Sequence, residues 1–226
     1  MFAHIPLATV LHVIRPSHDQ IIAKPMDKAQ VFWDSFRKSW RASLPRYKDS
    51  FNDPKRWTTD WTELIKQAAE QACHGLAASL NCEVEVGREG YNRTDVHAID
   101  RGSRKLLVAF ESELAPWGKK GDWRQEFGKL CEADAVLRVL SGTFTPGTGR
   151  TFPVFLREKL DYLRASFDKG HSGGFCLIFG PGPFDQDPEQ AWLAYSLERD
   201  YSVRELVSAS PLIPLRVIRG QEGTEE

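Results

Sequence analysis

The chain has 226 residues, a formal net charge of −1 and a sequence pI near 6.6, with 41% hydrophobic and 27% charged residues. These fractions are ordinary for a soluble globular protein, and seven Trp and thirteen Phe residues exclude disorder over most of the length. A nucleic-acid binder that relies on global attraction is more basic than this, so any grip on DNA or RNA requires local positive charge or a partner.

The N-terminal sequence and the cysteines indicate a cytoplasmic protein. No apolar run approaches the ~20 residues that cross a bilayer, and the first residues lack the basic stretch that opens a signal peptide. We therefore expect no signal peptide and no membrane partner. The four cysteines are scattered, with no Cys-x-x-Cys pair, which predicts reduced thiols rather than a zinc site or a disulfide framework.

The first third of the chain predicts a short strand at 8–14 and two helices. Apolar residues recur with helical spacing from Lys28 to about Leu44. The polar side of this helix and the loop after it are rich in Arg and Lys, a surface for phosphate contact or a solvated face. Asp60, with Glu63 three residues later, predicts a capping box that starts the second helix. The polar side of that helix also carries Lys66, Glu70 and His74.

The middle of the chain predicts a β-sheet. Three extended runs follow one another at 83–86, 94–99 and 106–113. The third is almost wholly apolar until it ends in charge, which is typical of a buried central strand. A helix from about Asp122 to Ala133 then precedes an apolar strand at 135–140, and this order implies a parallel crossover.

The last third of the chain carries weaker signals. We expect a Gly- and Thr-rich loop over 141–152, a helix over 155–167 and a buried strand over 175–179. Two further segments, 191–197 and 215–218, have the pattern of edge strands.

Together these elements predict an α/β protein with a mixed central β-sheet flanked by helices. No linker divides the chain, so we expect a single domain over residues 1–226. Its core spans about 60–180, with an N-terminal extension at 1–58 and C-terminal edge elements at 181–226.

Three carboxylates, those of Asp95, Glu111 and Glu113, form the most informative pattern in the chain. Two strands joined by a short turn are antiparallel, which brings the start of the Asp95 strand beside the end of the strand that carries the glutamates. Side chains alternate faces along a strand, so Glu111 and Glu113 point to the same side. We therefore predict that the three carboxylates converge at one edge of the sheet.

Such a cluster favours a bound cation. Like charges within a few ångström raise one another's pKa, and a hard cation such as Mg²⁺ or Mn²⁺ with oxygen ligands relieves the repulsion. Bound to phosphate, it polarises the scissile group and activates a water. The alternative is that acidic residues at strand ends are simply solvated, which is common for an isolated Glu-x-Glu. The apolar run that leads into Glu111 favours a site.

The stretch Asp95…Glu111-Ser112-Glu113 resembles the PD-(D/E)xK nuclease superfamily, in which an Asp on one strand precedes a Glu-x-Lys on the next. The resemblance covers about residues 60–141, whose order of elements is similar to the restriction-endonuclease-like core. It implies a Mg²⁺- or Mn²⁺-dependent endonuclease, often in restriction, repair or anti-phage defence. Asp95 and Glu111 would be metal ligands, and Glu113 would bind metal or take the proton from water.

Two positions depart from the superfamily pattern. Thr94 stands where the family has Pro, and Glu113 stands where it has Lys, although some restriction endonucleases of the superfamily also carry Glu there. Migrated lysines occur in the superfamily, so the resemblance offers Lys129, on the helix after Glu113, as the replacement cation. An ion pair between Glu126 and Lys129 at the surface of that helix is the alternative.

Further candidates flank the carboxylates. Members of the superfamily often add a carboxylate from the earlier helix, which would be Glu70, but its place on the polar side favours a solvated role. His97 shares the face of Asp95 and is either a hydrogen-bond partner of the site or a satisfied sheet histidine. A basic group after the glutamates lies where a nucleic-acid backbone would pass, or is a solvated loop: Lys119, Lys120 and Arg124.

Three hypotheses about function follow. The first is a metal-dependent nuclease that hydrolyses phosphodiester bonds, with DNA preferred over RNA, acting as a homodimer or with a partner subunit. The second is a binding or scaffold protein that has this fold without catalysis, which the near-neutral charge and Glu113 favour. The third is another α/β enzyme whose acidic cluster serves a different substrate, such as a nucleotide.

Overall fold

A computed structural model describes the protein over residues 26–47, 54–89, 93–113, 123–144, 161–162, 173–181, 192–197 and 203–206. The helices in these ranges are α1 (Lys28–Ser43), α2 (Pro54–Ser79) and α3 (Trp123–Glu132), with a 3₁₀ turn at Leu44–Arg46. The strands in these ranges are β1 (Val84–Arg88), β2 (Val96–Asp100), β3 (Leu106–Glu113), β4 (Ala135–Phe144), β5 (Gly174–Pro181), β6 (Leu193–Leu197) and β7 (Val203–Glu205).

The described strands form one mixed sheet in the order β1-β2-β3-β4-β5-β6-β7. β3, β4 and β5 are parallel neighbours, and the remaining pairs are antiparallel. Helix α3 lies between β3 and β4 in the chain, so the predicted parallel crossover is confirmed. The predicted α/β class, with a mixed sheet and flanking helices, is confirmed as well.

The sheet separates two hydrophobic cores, because successive side chains of a strand point to opposite faces. On one face, the aromatic residues of α1 and the apolar stripe of α2 pack against Phe110 of β3. On the other face, α3 packs through Trp123, Phe127 and Leu130. Ala109 of β3 belongs to this second core. Glu111, two residues further along β3, therefore faces α3.

Helix α2 begins earlier than the sequence predicted. It starts at Pro54, so the prediction of a capping box at Asp60 is wrong. Asp60 lies inside the helix, where the Thr62 hydroxyl donates to the Thr58 carbonyl one turn before it (2.8 Å). Proline is common in the first turn of a helix. The N–H groups of that turn have no partner within the helix, so the lack of an N–H in proline costs no hydrogen bond there. The helix ends before Asn81, whose φ of 53° is left-handed.

Two strand predictions are also corrected. The predicted loop over 141–152 starts too early, since β4 continues through 141–144 and pairs there with the end of β5. The strand predicted at 191–197 is confirmed as β6, but it is not an edge strand, because β7 pairs with it on its outer side. The three residues of β7 are too few to show a period in the sequence.

Several predictions lie partly or wholly outside the described residues. These are the strands at 8–14 and 215–218 and most of the helix at 155–167, of which only Asp161 and Tyr162 are described and are helical. All four cysteines are described and free of disulfides, with Cys73 and Cys176 buried. In the part of the chain that the structure describes, no helix is both long enough and apolar enough to span a membrane.

Ser141 of β4 provides a test of the packing. It is fully buried, and its Oγ has no hydrogen-bond partner among the residues that the structure describes. A buried hydroxyl without a partner costs free energy on folding, so we expect Ser141→Ala to raise the free energy of unfolding by about 1 kcal/mol in urea titrations. The matched control is Ser103→Ala, which removes a hydroxyl that donates to Asp100 and should lower stability. A Ser141→Ala variant less stable than wild type would contradict this packing.

Candidate metal centre

Asp95 and Glu111 lie side by side at one end of the β2–β3 pair. Val96 is the register partner of Phe110, which places Asp95, immediately before β2, opposite Glu111. The backbone N–H of Ser112 donates to Asp95 Oδ2 (2.9 Å) and holds this carboxylate against β3. The structure therefore brings together two of the three carboxylates in the way that antiparallel pairing predicted.

Glu111 is a buried acid in a crowded site. Only 2% of its side chain is exposed, and its Oε1 lies 3.7 Å from Lys129 Nζ. Within the described part of the chain, this Oε1 has no hydrogen-bond partner. Burial is the main reason that the pKa of Glu111 rises to about 9. A hydrogen bond with Glu126 and the negative charge of Asp95 raise this pKa further, and Lys129 opposes the change. Among the described residues, the positive charge near Glu111 is too small to keep it ionised at neutral pH.

Lys129 reaches the acidic pair from α3. Its Nζ contacts Glu126 and approaches Glu111, with about a third of the side chain exposed. Burial lowers the pKa of Lys129, but the hydrogen bond to Glu126 and the charge of Glu111 outweigh it, so the pKa is raised. The ion pair with Glu126 that the sequence offered as an alternative is present. It is one part of a cluster that also includes Glu111.

Lys66 of α2 completes the cluster, and sequence reasoning missed it. Its side chain is 10% exposed, and Nζ lies 3.1 Å from Asp95 Oδ1 and 2.9 Å from Glu89 Oε1. Burial lowers the pKa of Lys66, but the hydrogen bond to Glu89 and the charge of Asp95 have the larger effect, so the pKa is raised. The signal was available: Ala69 and Cys73, at helical spacing after Lys66, are also buried and widen the apolar stripe.

Glu113 lies where the sequence predicted it, and its convergence with the other two carboxylates stays a prediction. It lies at the end of β3, half-buried, two residues after Glu111 and therefore on the same face. Among the described residues, no group of three or more His, Cys, Asp or Glu side chains is arranged to hold a metal ion. The described arrangement is thus a close pair, Asp95 and Glu111, with a lysine on each carboxylate.

Glu70 does not have the solvated role that its place on α2 suggested. Both its oxygens accept hydrogen bonds from Arg88 of β1, at 2.5 Å and 3.1 Å. Glu63 accepts from the same guanidinium at 2.7 Å. These ion pairs connect α2 to β1, the first strand of the sheet. Glu70 therefore stabilises the contact between helix and strand and does not add a carboxylate to the acidic pair.

The remaining candidates lie around the cluster. His97 stands opposite Gly87, where an added Cβ would come within 2.7 Å of its Nε2, and burial lowers the pKa of the imidazole. This close packing favours the sheet-histidine interpretation. Arg124 is exposed on α3, with its guanidinium 5.3 Å from the centre of the Tyr162 ring. Lys119 and Lys120 lie outside the described residues.

Comparisons with known proteins give no match, whether against family models, curated proteins or solved structures.

The raised pKa of Glu111 predicts a pH-dependent effect on stability. The pKa of this acid is about 4.5 in the unfolded protein and about 9 in the folded protein. Its contribution to stability is therefore fully present below pH 4.5 and is lost as the pH rises to 9. Glu111→Gln cannot ionise, so its stability relative to wild type should increase between pH 5.5 and pH 8.5. Urea titrations in EDTA measure this trend. Glu85→Gln, at an exposed position, is the control, and parallel profiles for Glu111→Gln and wild type would refute the effect.

Proposed function

We propose that this protein is a metal-dependent nuclease that hydrolyses phosphodiester bonds, with DNA as the preferred substrate. The observation that carries the proposal is Glu111, a buried acid with an unpartnered oxygen beside Asp95 and near Lys129. An unpaired buried polar atom calls for a function or a missing ion, and perturbed acids with a defined charge partner are concentrated at functional sites.

The fold supports a restriction-endonuclease-like core as part of this proposal. After α2, the chain forms antiparallel β1, β2 and β3, and it crosses through α3 to the parallel strand β4. This is the order of elements that the resemblance to the PD-(D/E)xK superfamily implies. Action in the cytoplasm, in restriction or anti-phage defence, as a homodimer or with a partner subunit, belongs to the same proposal.

The donor atoms fit a hard divalent cation. Carboxylate oxygens are its preferred ligands, and Mg²⁺ commonly binds through one or two carboxylates, with water and substrate phosphate completing the coordination. Asp95 and Glu111 provide such a pair, which makes a third protein ligand unnecessary. The hydrogen bond from the Ser112 backbone orients Asp95, and the strand β3 orients Glu111.

The roles of the residues follow from their chemistry. A bound divalent cation supplies electrophilic polarisation of the phosphodiester. Lys129, held by Glu126, would donate hydrogen bonds to the negative charge that develops on the phosphate oxygens. Glu113 would take a proton from the water whose oxygen bonds to phosphorus as the bond to the leaving oxygen breaks. Arg124, exposed on α3, would contact the nucleic-acid backbone.

A scaffold or binding protein without catalysis is the second candidate. The observation that favours it is that each carboxylate of the pair already has a lysine, Lys66 on Asp95 and Lys129 near Glu111. In that case the four side chains form a structural ion-pair network. Such a network needs no cation.

Metal binding separates the two candidates. We expect Mn²⁺ or Mg²⁺ at a hundredfold excess over its dissociation constant to add about 2.7 kcal/mol to the free energy of unfolding and to raise Tm by about 5 °C or more. Glu111→Gln should lose this increase because an amide cannot lose a proton to become an anionic ligand, and Glu85→Gln should keep it. An unchanged wild-type Tm at millimolar Mn²⁺ would favour the scaffold.

Cleavage tests the catalytic roles directly. With Mn²⁺, wild type should nick supercoiled plasmid, and Lys129→Met should slow nicking by about a hundredfold or more, since it removes charge stabilisation from the transition state. Arg104→Met removes the same charge from an exposed ion pair with Glu85 and should leave the rate unchanged. Hydrolysis of free nucleotides without nicking would instead support the nucleotide-enzyme hypothesis, and intact DNA and RNA at enzyme excess would refute the nuclease.

A further inference from the structure

We propose that the ammonium group of Lys66 competes with the divalent cation for Asp95, and that it stays on Glu89 when the cation binds. Lys66 and Glu89 would then set the metal affinity of the site in opposite directions. This inference rests on the proposed function, because it assumes that Asp95 is a metal ligand.

The contacts of Lys66 suggest this competition. Its Nζ bridges two carboxylates, Asp95 Oδ1 at 3.1 Å and Glu89 Oε1 at 2.9 Å. The other oxygen of Asp95 accepts from the Ser112 backbone. Oδ1 is therefore the Asp95 oxygen left for a cation, and the ammonium lies against it.

Electrostatics does not allow both cations to remain in contact with Oδ1. An ammonium and a divalent ion repel each other, and the repulsion is stronger where the surroundings are buried and poorly screened. Lys66 is buried, at 10% side-chain exposure. Binding of the divalent ion therefore requires that the ammonium withdraw from Asp95.

Glu89 gives the withdrawn ammonium a partner. Its side chain is 74% exposed, and it follows β1 directly, with its backbone N–H donating to the Thr94 carbonyl at 3.2 Å. Lys66 has a flexible four-carbon stem and three donors, so a small rotation breaks the Asp95 contact and keeps the Glu89 contact. Without Glu89, the ammonium would lose both partners on release from Asp95.

The competing explanation is that Lys66 is a structural ion pair. Removing it would then destabilise the fold and leave the metal affinity unchanged or weaker. The competition model predicts the opposite for the affinity, because Asp95 would lose its resident cation.

Isothermal titration calorimetry with Mn²⁺ on the full chain tests the proposal. We expect Lys66→Met to bind Mn²⁺ about tenfold tighter than wild type and Glu89→Gln to bind it several-fold more weakly, about threefold or more. In the double variant, Glu89→Gln should have no effect, since it acts only through Lys66. Arg104→Met and Glu85→Gln, which make the same charge changes at a distant exposed pair, control for net charge.

The possible results distinguish failure of the competition from failure of the proposed metal-dependent function. Unchanged or weaker binding by Lys66→Met, with normal binding by wild type, overturns the competition and leaves the metal centre in place. Absence of Mn²⁺ binding by wild type overturns the proposed function and the competition together. If Lys66→Met does not fold, Glu89→Gln, which changes an exposed side chain, still tests the proposal. An unchanged Mn²⁺ affinity in that variant overturns it.

Discussion

The hydrogen bond from the Ser112 backbone to Asp95 joins the ends of two strands, and the arrangement of the acidic pair depends on it. It uses one oxygen of Asp95 and brings this carboxylate to β3 next to Glu111. This backbone donor cannot move far, because Ser112 pairs with Ser141 of β4 and Phe110, two residues before it, pairs with strands on both sides. The position of the acidic pair is therefore set by the sheet rather than by a loop.

Four elements contribute one charged group each to the same small region. Asp95 precedes β2, Glu111 belongs to β3, Lys66 comes from α2 on one face of the sheet, and Lys129 comes from α3 on the other. Buried ion pairs of this kind contribute little net stability, since desolvation offsets attraction. The proposed metal binding would give these charges a role at the end of a central strand.

Local patterns predicted the sheet well and the cluster only in part. The bounds of β3 and its antiparallel pairing with β2 could be deduced because an apolar run and a short turn determine both. Lys66 was assigned to the polar side of α2 because it is charged, although Ala69 and Cys73 at helical spacing after it mark the margin of the apolar stripe. Its long stem carries the ammonium group past that stripe. The start of α2 was misplaced because a good capping pair at Asp60 occurs inside a longer helix.

The ion pairs of Arg88 have a consequence for the outer edge of the sheet. β1 is the first strand in the order of the described sheet, and an outermost strand of this kind can recruit a strand from another molecule. Arg88 fastens β1 to α2, and the exposed side chains of Glu85 and Arg104 place charge along the same margin. Charged, anchored margins are poor templates for fibril growth, so this side of the protein is protected against self-association.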